Sequence, residues 1–335
     1  MTQNQFIIQP DIIKRKSQVD VLMEKVSSNE HYLQIGCEPE QVLRNVILEI
    51  AKGETWVITG KNAFALQLLL EIMANIKPYY SGRCVLAERG MMRNKRIILP
   101  HVFYIGNTSM IYNNMNVLEF LMFVSANSNF DVVTQQDRIF EQLITLKLGN
   151  ISLTPISTLT DEYKAIVLLL VGLYSDSQII ILNIPSLVFK KEHIDPLKNI
   201  IKLLDNQERT LIASIINTDV IDKVFDNIAF LYDGKIIFKG KTEDLKNKYD
   251  KVIFTIEDKN VKAIKEMLFA SLPQYDYKVN GSILKIINRS KDENNSKLLY
   301  ERVIAAGYTP EKIKFNSKSL KNACEEIVKQ YDLQK

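Results

Sequence analysis

Residues 55–78 read TWVITGKNAFALQLLLEIMANIKP. Thr55 to Thr59 is a β-branched and aromatic run that stops at Gly60, as a strand ending in a turn does. Phe64 to Ile76 then carries apolar residues at helical spacing, and the helix ends at Lys77-Pro78, where proline cannot continue it. A strand, a glycine turn and a helix in that order open a parallel α/β sheet. On the N-terminal side, Val46 to Ile50 alternates as a strand does, and Lys52-Gly53-Glu54 turns the chain into the run at Thr55.

Toward the C-terminus the alternation of strands and helices continues. The stretch from Met110 to about Asn150 reads as mostly helical, with apolar spacing over Val117 to Ala126 and Gln135 to Leu146. A helix over Asp161 to Tyr174, a strand over Gln178 to Leu182, a helix over Ile194 to Leu204, a strand over Thr210 to Ser214 and a helix over Val220 to Phe225 follow. Ile228 to Tyr232 and Lys235 to Phe238 form a hairpin turned at Asp233-Gly234. The pattern predicts a mixed sheet covered by helices. Residues 1–30 lack clear periodicity and read as a lead-in, ahead of a first domain over 31–248. After Lys246-Asn247-Lys248 the texture changes, and two strand–helix units over 251–335 predict a small C-terminal α+β domain, with the boundary near 247–251.

Composition narrows the function classes. The chain has 335 residues, 46% hydrophobic and 24% charged, which is ordinary for a folded protein and excludes disordered and collagen-like readings. The longest apolar run, Ala165 to Tyr174, falls short of the roughly 18–20 residues of a membrane span, and no export signal opens the chain. A cytoplasmic protein is expected. Cys37, Cys84 and Cys324 lie far apart without a CxxC pair, and His31, His101 and His193 are isolated, so neither a disulfide framework nor a metal site is expected. The net charge is +4, and residues 251–335 hold 16 basic and 11 acidic side chains. That excess is too diffuse for a nucleic-acid stripe and reads as a solvated lysine-rich domain, the alternative being contact with anionic lipid headgroups or acidic partner loops.

Over residues 40–247 the order of elements resembles the ATP-binding cassette of ABC transporters. In that family the first strand enters a phosphate-cradling loop, GxxGxGK[S/T]. The corresponding stretch here is Gly60-Lys61-Asn62-Ala63-Phe64-Ala65-Leu66-Gln67, with Ala63 and Ala65 in place of glycines, Leu66 in place of the lysine and Gln67 in place of the hydroxyl. Lys77 to Arg83 (KPYYSGR) is similar to the family's KPTSG turn. Asn107 stands at the glutamine that reaches magnesium, and Leu159-Thr160-Asp161-Glu162-Tyr163 at the LSGGQ signature. Asn183 and Ile184 occupy the magnesium aspartate and the general-base glutamate, Lys190 the D-loop aspartate, and Ile216 the switch histidine. DNIAFLYDGKIIFKG, residues 226–240, is similar to the closing hairpin DRVAILDKGKIVAEG. The tail from Tyr300 to Val328 resembles the small domain appended to some drug- and peptide-exporting cassettes.

The resemblance implies a P-loop NTPase-like ABC cassette, with a mixed-sheet core and a helical subdomain, plus the C-terminal α+β domain. It also implies ATP and Mg as cofactors, a membrane permease as partner, dimerisation with itself or another cassette, and a place at the inner face of the cell membrane. No nucleic-acid partner is implied. The departures speak against the chemistry, because phosphoryl transfer needs charge neutralisation and a positioned water. With Asn183, Ile184 and Ile216 at catalytic positions, no catalytic residue is expected. Gly60, Lys61, Asn62, Leu66, Gln67 and Asn107 would form a vestigial nucleotide site in which Lys61 is a plain solvent-facing lysine or else compensates in part; the adenine-stacking tyrosine has no clear counterpart, Tyr32 being the nearest. Asp161 and Glu162 would set two carboxylates against a partner's γ-phosphate, or serve as the acidic first turn of a helix capped by Thr160. Met110, Ile111 and Tyr112 would supply the apolar contacts of permease docking. The expected function is a catalytically degenerate transporter subunit of exporter type, acting mechanically; the alternatives are a soluble adaptor without a permease and a weakly active ATPase with displaced groups.

Overall fold

The computed structural model describes residues 19–32, 39–87, 89–90, 101–126, 131–288, 296–315 and 318–334. Cys37 and the Met91-Met92 pair lie outside them. The chain divides into two compact units between Gly240 and Lys241.

The first unit opens with β1 (Val19–Ser28), so the expected lead-in over residues 1–30 is corrected within the described residues. Val21, Met23 and Val26 are buried because β1 is the inner strand of an antiparallel sheet. Two short strands, β2 (His31–Tyr32) and β3 (Glu40–Gln41), pair with each other. β1 pairs with β4 (Val46–Ala51) on one side. The main sheet begins at β5 (Thr55–Gly60), which leads into α1 (Ala63–Met73). β6 (Tyr79–Leu86), read only as a turn from KPYYSGR, flanks β1 on its other side, and β7 (Arg89–Gly90) closes that edge. The strand is disguised by a register shift opposite Ser81, and a Cβ on the neighbouring Gly82 would stand 2.4 Å from the Lys25 carbonyl oxygen, at a φ of +98°.

The remaining strands of the main sheet alternate with helices. They are β8 (Val102–Ile105), β9 (Ile179–Asn183), β10 (Thr210–Ser214), β11 (Asn227–Tyr232) and β12 (Lys235–Lys241). The order is β12-β11-β5-β10-β9-β8. From β11 to β8 every neighbouring pair is parallel, and β5, β9 and β10 are buried along their whole length, as central parallel strands are. The β11–β12 hairpin turns at Asp233 and Gly234, whose φ values of 51° and 69° match a type I′ turn.

The helical part comprises α2 (Val117–Val124), α3 (Val132–Thr145) and α4 (Asp161–Tyr174); α5 (Ile194–Asn206) and α6 (Thr218–Val224) follow among the later strands. Asn116 and Glu119 form a capping box that starts α2. Arg209 is buried and donates to the carbonyls of Gly172 and Leu173 at 2.8 and 3.0 Å, placing a cation on the C-terminal end of α4.

The second unit begins with α7 (Thr242–Tyr249), ahead of the division expected at 247–251. Its sequence is mostly polar, yet Thr242 and Leu245 are buried and the helix packs with the last helix of the chain. Next come β13 (Val252–Glu257), α8 (Val261–Ser271), β14 (Tyr275–Asn280), β15 (Ile283–Asn288), α9 (Ser296–Ala305) and β16 (Lys312–Phe315), closed by α10 (Leu320–Leu333). The βαββαβ order and the sheet order β14-β15-β13-β16 are those of a ferredoxin-like split βαβ unit. Phe254, Ile256, Leu284 and Ile286 form one core with Ile264 and Leu268 of α8 and Leu299 and Val303 of α9.

Candidate functional site

Gly60 ends the central strand β5, and a Cβ there would meet the Leu231 carbonyl oxygen at 2.2 Å, so only glycine lets β5 and β11 approach this closely. Two residues, Lys61 and Asn62, separate it from α1. Asn62 is the cap: its Oδ1 accepts from the amide of Ala65 at 3.1 Å, and its carbonyl accepts from the amide of Leu66 at 3.1 Å. Positions 63–67 are therefore helix, and the amides of Ala65 and Leu66 are spent on its cap. Leu66 is fully buried in the main core. Gln67 points outward and donates to Glu71 at 2.9 Å.

Asn183, at the end of β9, is buried and engaged through both ends of its amide. Its Nδ2 donates to the Gln67 carbonyl and to the Tyr104 hydroxyl, each at 2.9 Å, and its Oδ1 accepts from Ser214 at 3.0 Å. One amide thus ties β9 to α1, β8 and β10. The arrangement needs a donor and an acceptor on the same side chain, which asparagine has and an ionised aspartate lacks. Burial raises the Tyr104 pKa, the bond from Asn183 opposing it, so the phenol stays protonated. Ile184 is 6% exposed and Ile216 is 37% exposed, and neither side chain can take or give a proton.

Lys61 is exposed, with its ammonium 5.6 Å from the centre of the Tyr232 ring. It borders a cavity of about 160 Å³ lined also by Tyr32, Arg44, Asn62 and Ala65. The Tyr32 hydroxyl accepts from Asn62 at 2.8 Å, so this ring is held against the start of α1. Burial raises its pKa, with the charge of Arg44 opposing. Arg44 is itself engaged with Asp233. The residues present do not fit magnesium triphosphate: position 66 has no cation, position 67 no hydroxyl, and positions 183 and 184 no carboxylate. Among the described residues no cluster of His, Cys, Asp and Glu is placed to hold a metal ion.

Asn107 and the segment 159–163 meet at a second place. Asn107 is exposed and caps the short helical turn Thr108–Met110 through the Ser109 amide at 2.9 Å. Thr108 donates to Asp161 at 2.9 Å, which joins this turn to the start of α4. Leu159 is buried, while Thr160 stands at the N-cap without using its side chain as a cap. Asp161 and Glu162 fill the first turn of α4, where negative charge suits the helix dipole. The ring of Tyr163 meets His193 edge-on at 4.6 Å.

The expected docking trio is corrected at one position. Ile111 is 4% exposed and belongs to the core, whereas Tyr112 is 61% exposed. Its neighbour is Phe123, 54% exposed and edge-on to it at 5.7 Å. Phe123 sits on the outer face of α2 and had no distinguishing sequence signal. Tyr104 was missed too, since an aromatic in a short strand says nothing of its hydroxyl's partner. The side chain of Met110 lies outside the described residues.

No protein-family model matches the chain. Over 211 residues it is 24% identical to the lantibiotic transport ATP-binding protein SrtF of Streptococcus pyogenes, covering 62% of this chain and 87% of that protein. An uncharacterized ABC transporter ATP-binding protein of Methanocaldococcus jannaschii is 22% identical over 214 residues, or 62% of this chain and 74% of the relative. Among solved structures, cbiO1 from Clostridium perfringens, part of the cbiONQ ABC transporter complex, superposes with a TM-score of 0.56 at 16% identity, over 76% of this chain and 96% of that one. A dimeric cassette described in a post-hydrolysis state bound to ADP and Pi gives 0.52 at 17% identity, over 66% and 98%. The chain has the P-loop NTPase-like fold of an ABC cassette and is similar in sequence to ATP-binding proteins of ABC transporters.

Proposed function

We propose that the chain is the cassette subunit of an ABC transporter of exporter type, docked on a membrane permease, and that it acts structurally instead of hydrolysing ATP. The observation that carries this reading is Leu66. The position that holds the phosphate-binding lysine in the family is a fully buried core leucine on a helix that has absorbed the loop. Asn183 supports it, because it is neutral where the family has a carboxylate and its amide is engaged by Gln67, Tyr104 and Ser214. The similarity to SrtF supports transport of the exporter kind. Among the described residues no helix is long and apolar enough to cross a membrane, so work at a membrane requires a partner, for which Tyr112 and Phe123 offer an aromatic contact. Pairing with a second cassette, of the same or another kind, belongs to the same reading.

Two measurements test it. Thermal unfolding with and without millimolar Mg-ATP is expected to give the same Tm, and steady-state phosphate release is expected to match a protein-free control. A rise of several degrees, or turnover abolished by changing a residue of the Gly60 to Gln67 stretch, contradicts the loss of chemistry. Co-purification with a multi-span membrane protein is the expected result for the transporter role, and a profile free of any such partner contradicts that role.

A further inference from the structure

The second unit's sheet holds two cations against each other. In the register of β14 with β15, Lys278 stands directly opposite Lys285. Their strand neighbours Tyr277, Val279, Leu284 and Ile286 belong to the core beneath α8 and α9, so alternation sends both lysines to the other face. Directly opposed side chains on antiparallel strands have Cβ atoms about 5 Å apart, and like charges there are destabilising.

One member of the pair is held in place, while Lys278 is exposed. Lys285 is half-buried, and its ammonium donates to Oδ1 of Asn322 at 3.0 Å. The Asn322 amide donates in turn to Asp250 at 3.2 Å, and this buried carboxylate also accepts from the amides of Val252 and Ser319 at 3.0 and 2.6 Å. Among the described residues neither lysine has a carboxylate within ion-pair distance. Both line a cavity of about 250 Å³ that Lys251 and Lys329 also border, with Asp250, Asp276, Glu325 and Glu326 around it.

We propose that this groove binds a small oxyanion, a phosphate or a carboxylate carried by a small molecule. The anionic group sits between Lys278 and Lys285 and offsets the repulsion of two ammonium groups that no ion pair joins to a carboxylate among the described residues. The four acidic side chains repel an extended polyanion such as a nucleic acid and leave room for a ligand with a neutral or cationic remainder.

Isothermal titration of the full chain at low ionic strength tests this, with inorganic phosphate in one arm and succinate in the other. Saturable one-site binding is expected in at least one arm, and the arm that binds identifies the chemistry. Lys278→Gln and Lys285→Gln are each expected to weaken it about tenfold, the loss of one charge-assisted hydrogen bond. Lys312→Gln, an exposed lysine on β16, leaves the affinity unchanged. Without anion, Lys278→Gln raises Tm by removing the repulsion, and the anion-induced rise of the native chain disappears in it. Binding in neither arm, native affinity in both groove variants, or equal weakening by Lys312→Gln overturns the proposal.

Discussion

Asn183 donates a hydrogen bond to the backbone carbonyl of Gln67 at 2.9 Å, which fastens the end of β9 to α1. In the cassette family these two positions hold a magnesium-binding carboxylate and a hydroxyl, and both serve the metal. Here they serve each other. Replacing Asn183 with aspartate restores the family's residue type and sets a carboxylate against the Gln67 carbonyl oxygen. The expected result is a loss of about 2–4 kcal/mol in urea unfolding, the cost of a buried acceptor facing an acceptor. The deficit should shrink as the pH is lowered, because the protonated acid can donate. Phosphate release stays at background; turnover in this variant would show that one substitution suffices to rebuild the site.

Leu66→Lys asks the same of the missing cation. Leu66 is fully buried in the core, so a lysine there loses packing and carries a charge into apolar surroundings. Destabilisation of about 3–5 kcal/mol is expected, within the range of severe core substitutions, and Leu66→Met should cost under about 1.5 kcal/mol. Thermal unfolding checks both. A Leu66→Lys protein of native stability that gains Tm with Mg-ATP would mean that the helix can open back into a loop.

His193 makes the first unit sensitive to acid. Its Nδ1 accepts from the Lys190 amide at 2.9 Å, while the buried Nε2 has no hydrogen-bond partner among the described residues. The rings of Tyr163 and Phe189 stand edge-on to it. Burial holds its pKa below the ordinary 6.5; Glu192 and Glu162 oppose that and Lys190 reinforces it. The folded state therefore binds fewer protons than the unfolded chain, and stability falls as the pH drops below about 6.5. Denaturant titrations at pH 5.5 and 7.5 should show this loss in the native chain and a smaller one in His193→Phe. Equal losses would assign the acid sensitivity to other groups.

The fold of the first unit was legible because its parallel strands are uniformly apolar and its turns carry Gly60 and Asp233-Gly234. β1 was not, because Asp20, Ser27 and Ser28 are buried in it and break the alternation that marks a half-buried strand. Long-range partners permit this: Asp20 accepts from Thr210, and the Ser28 hydroxyl accepts from the Leu43 amide. α7 escaped for the opposite reason, since its buried residues, Thr242 and Leu245, give a periodicity too sparse to read. At the site, the missing chemical groups were visible position by position. The three-way engagement of the Asn183 amide was not, because hydrogen-bond partners as far as 116 residues apart leave no trace in local spacing.

Tyr112 and Phe123 carry the last prediction. Both rings are more than half exposed and meet edge-on at 5.7 Å, while Ile111 and Phe120 beside them are buried and hold the surface in place. An exposed aromatic pair on a rigid base is the kind of anchor that concentrates binding energy at an interface. Tyr112→Ala combined with Phe123→Ser removes the anchor while leaving the core intact. The double variant should keep its Tm within about 2 °C, as surface substitutions within ±0.5 kcal/mol do. It should also lose at least tenfold in recovery of the membrane partner by affinity purification. Retained recovery with native stability would move the permease contact to another face, and an equal loss from Phe269→Ser, an exposed aromatic on α8, would make the effect one of general stickiness instead of docking.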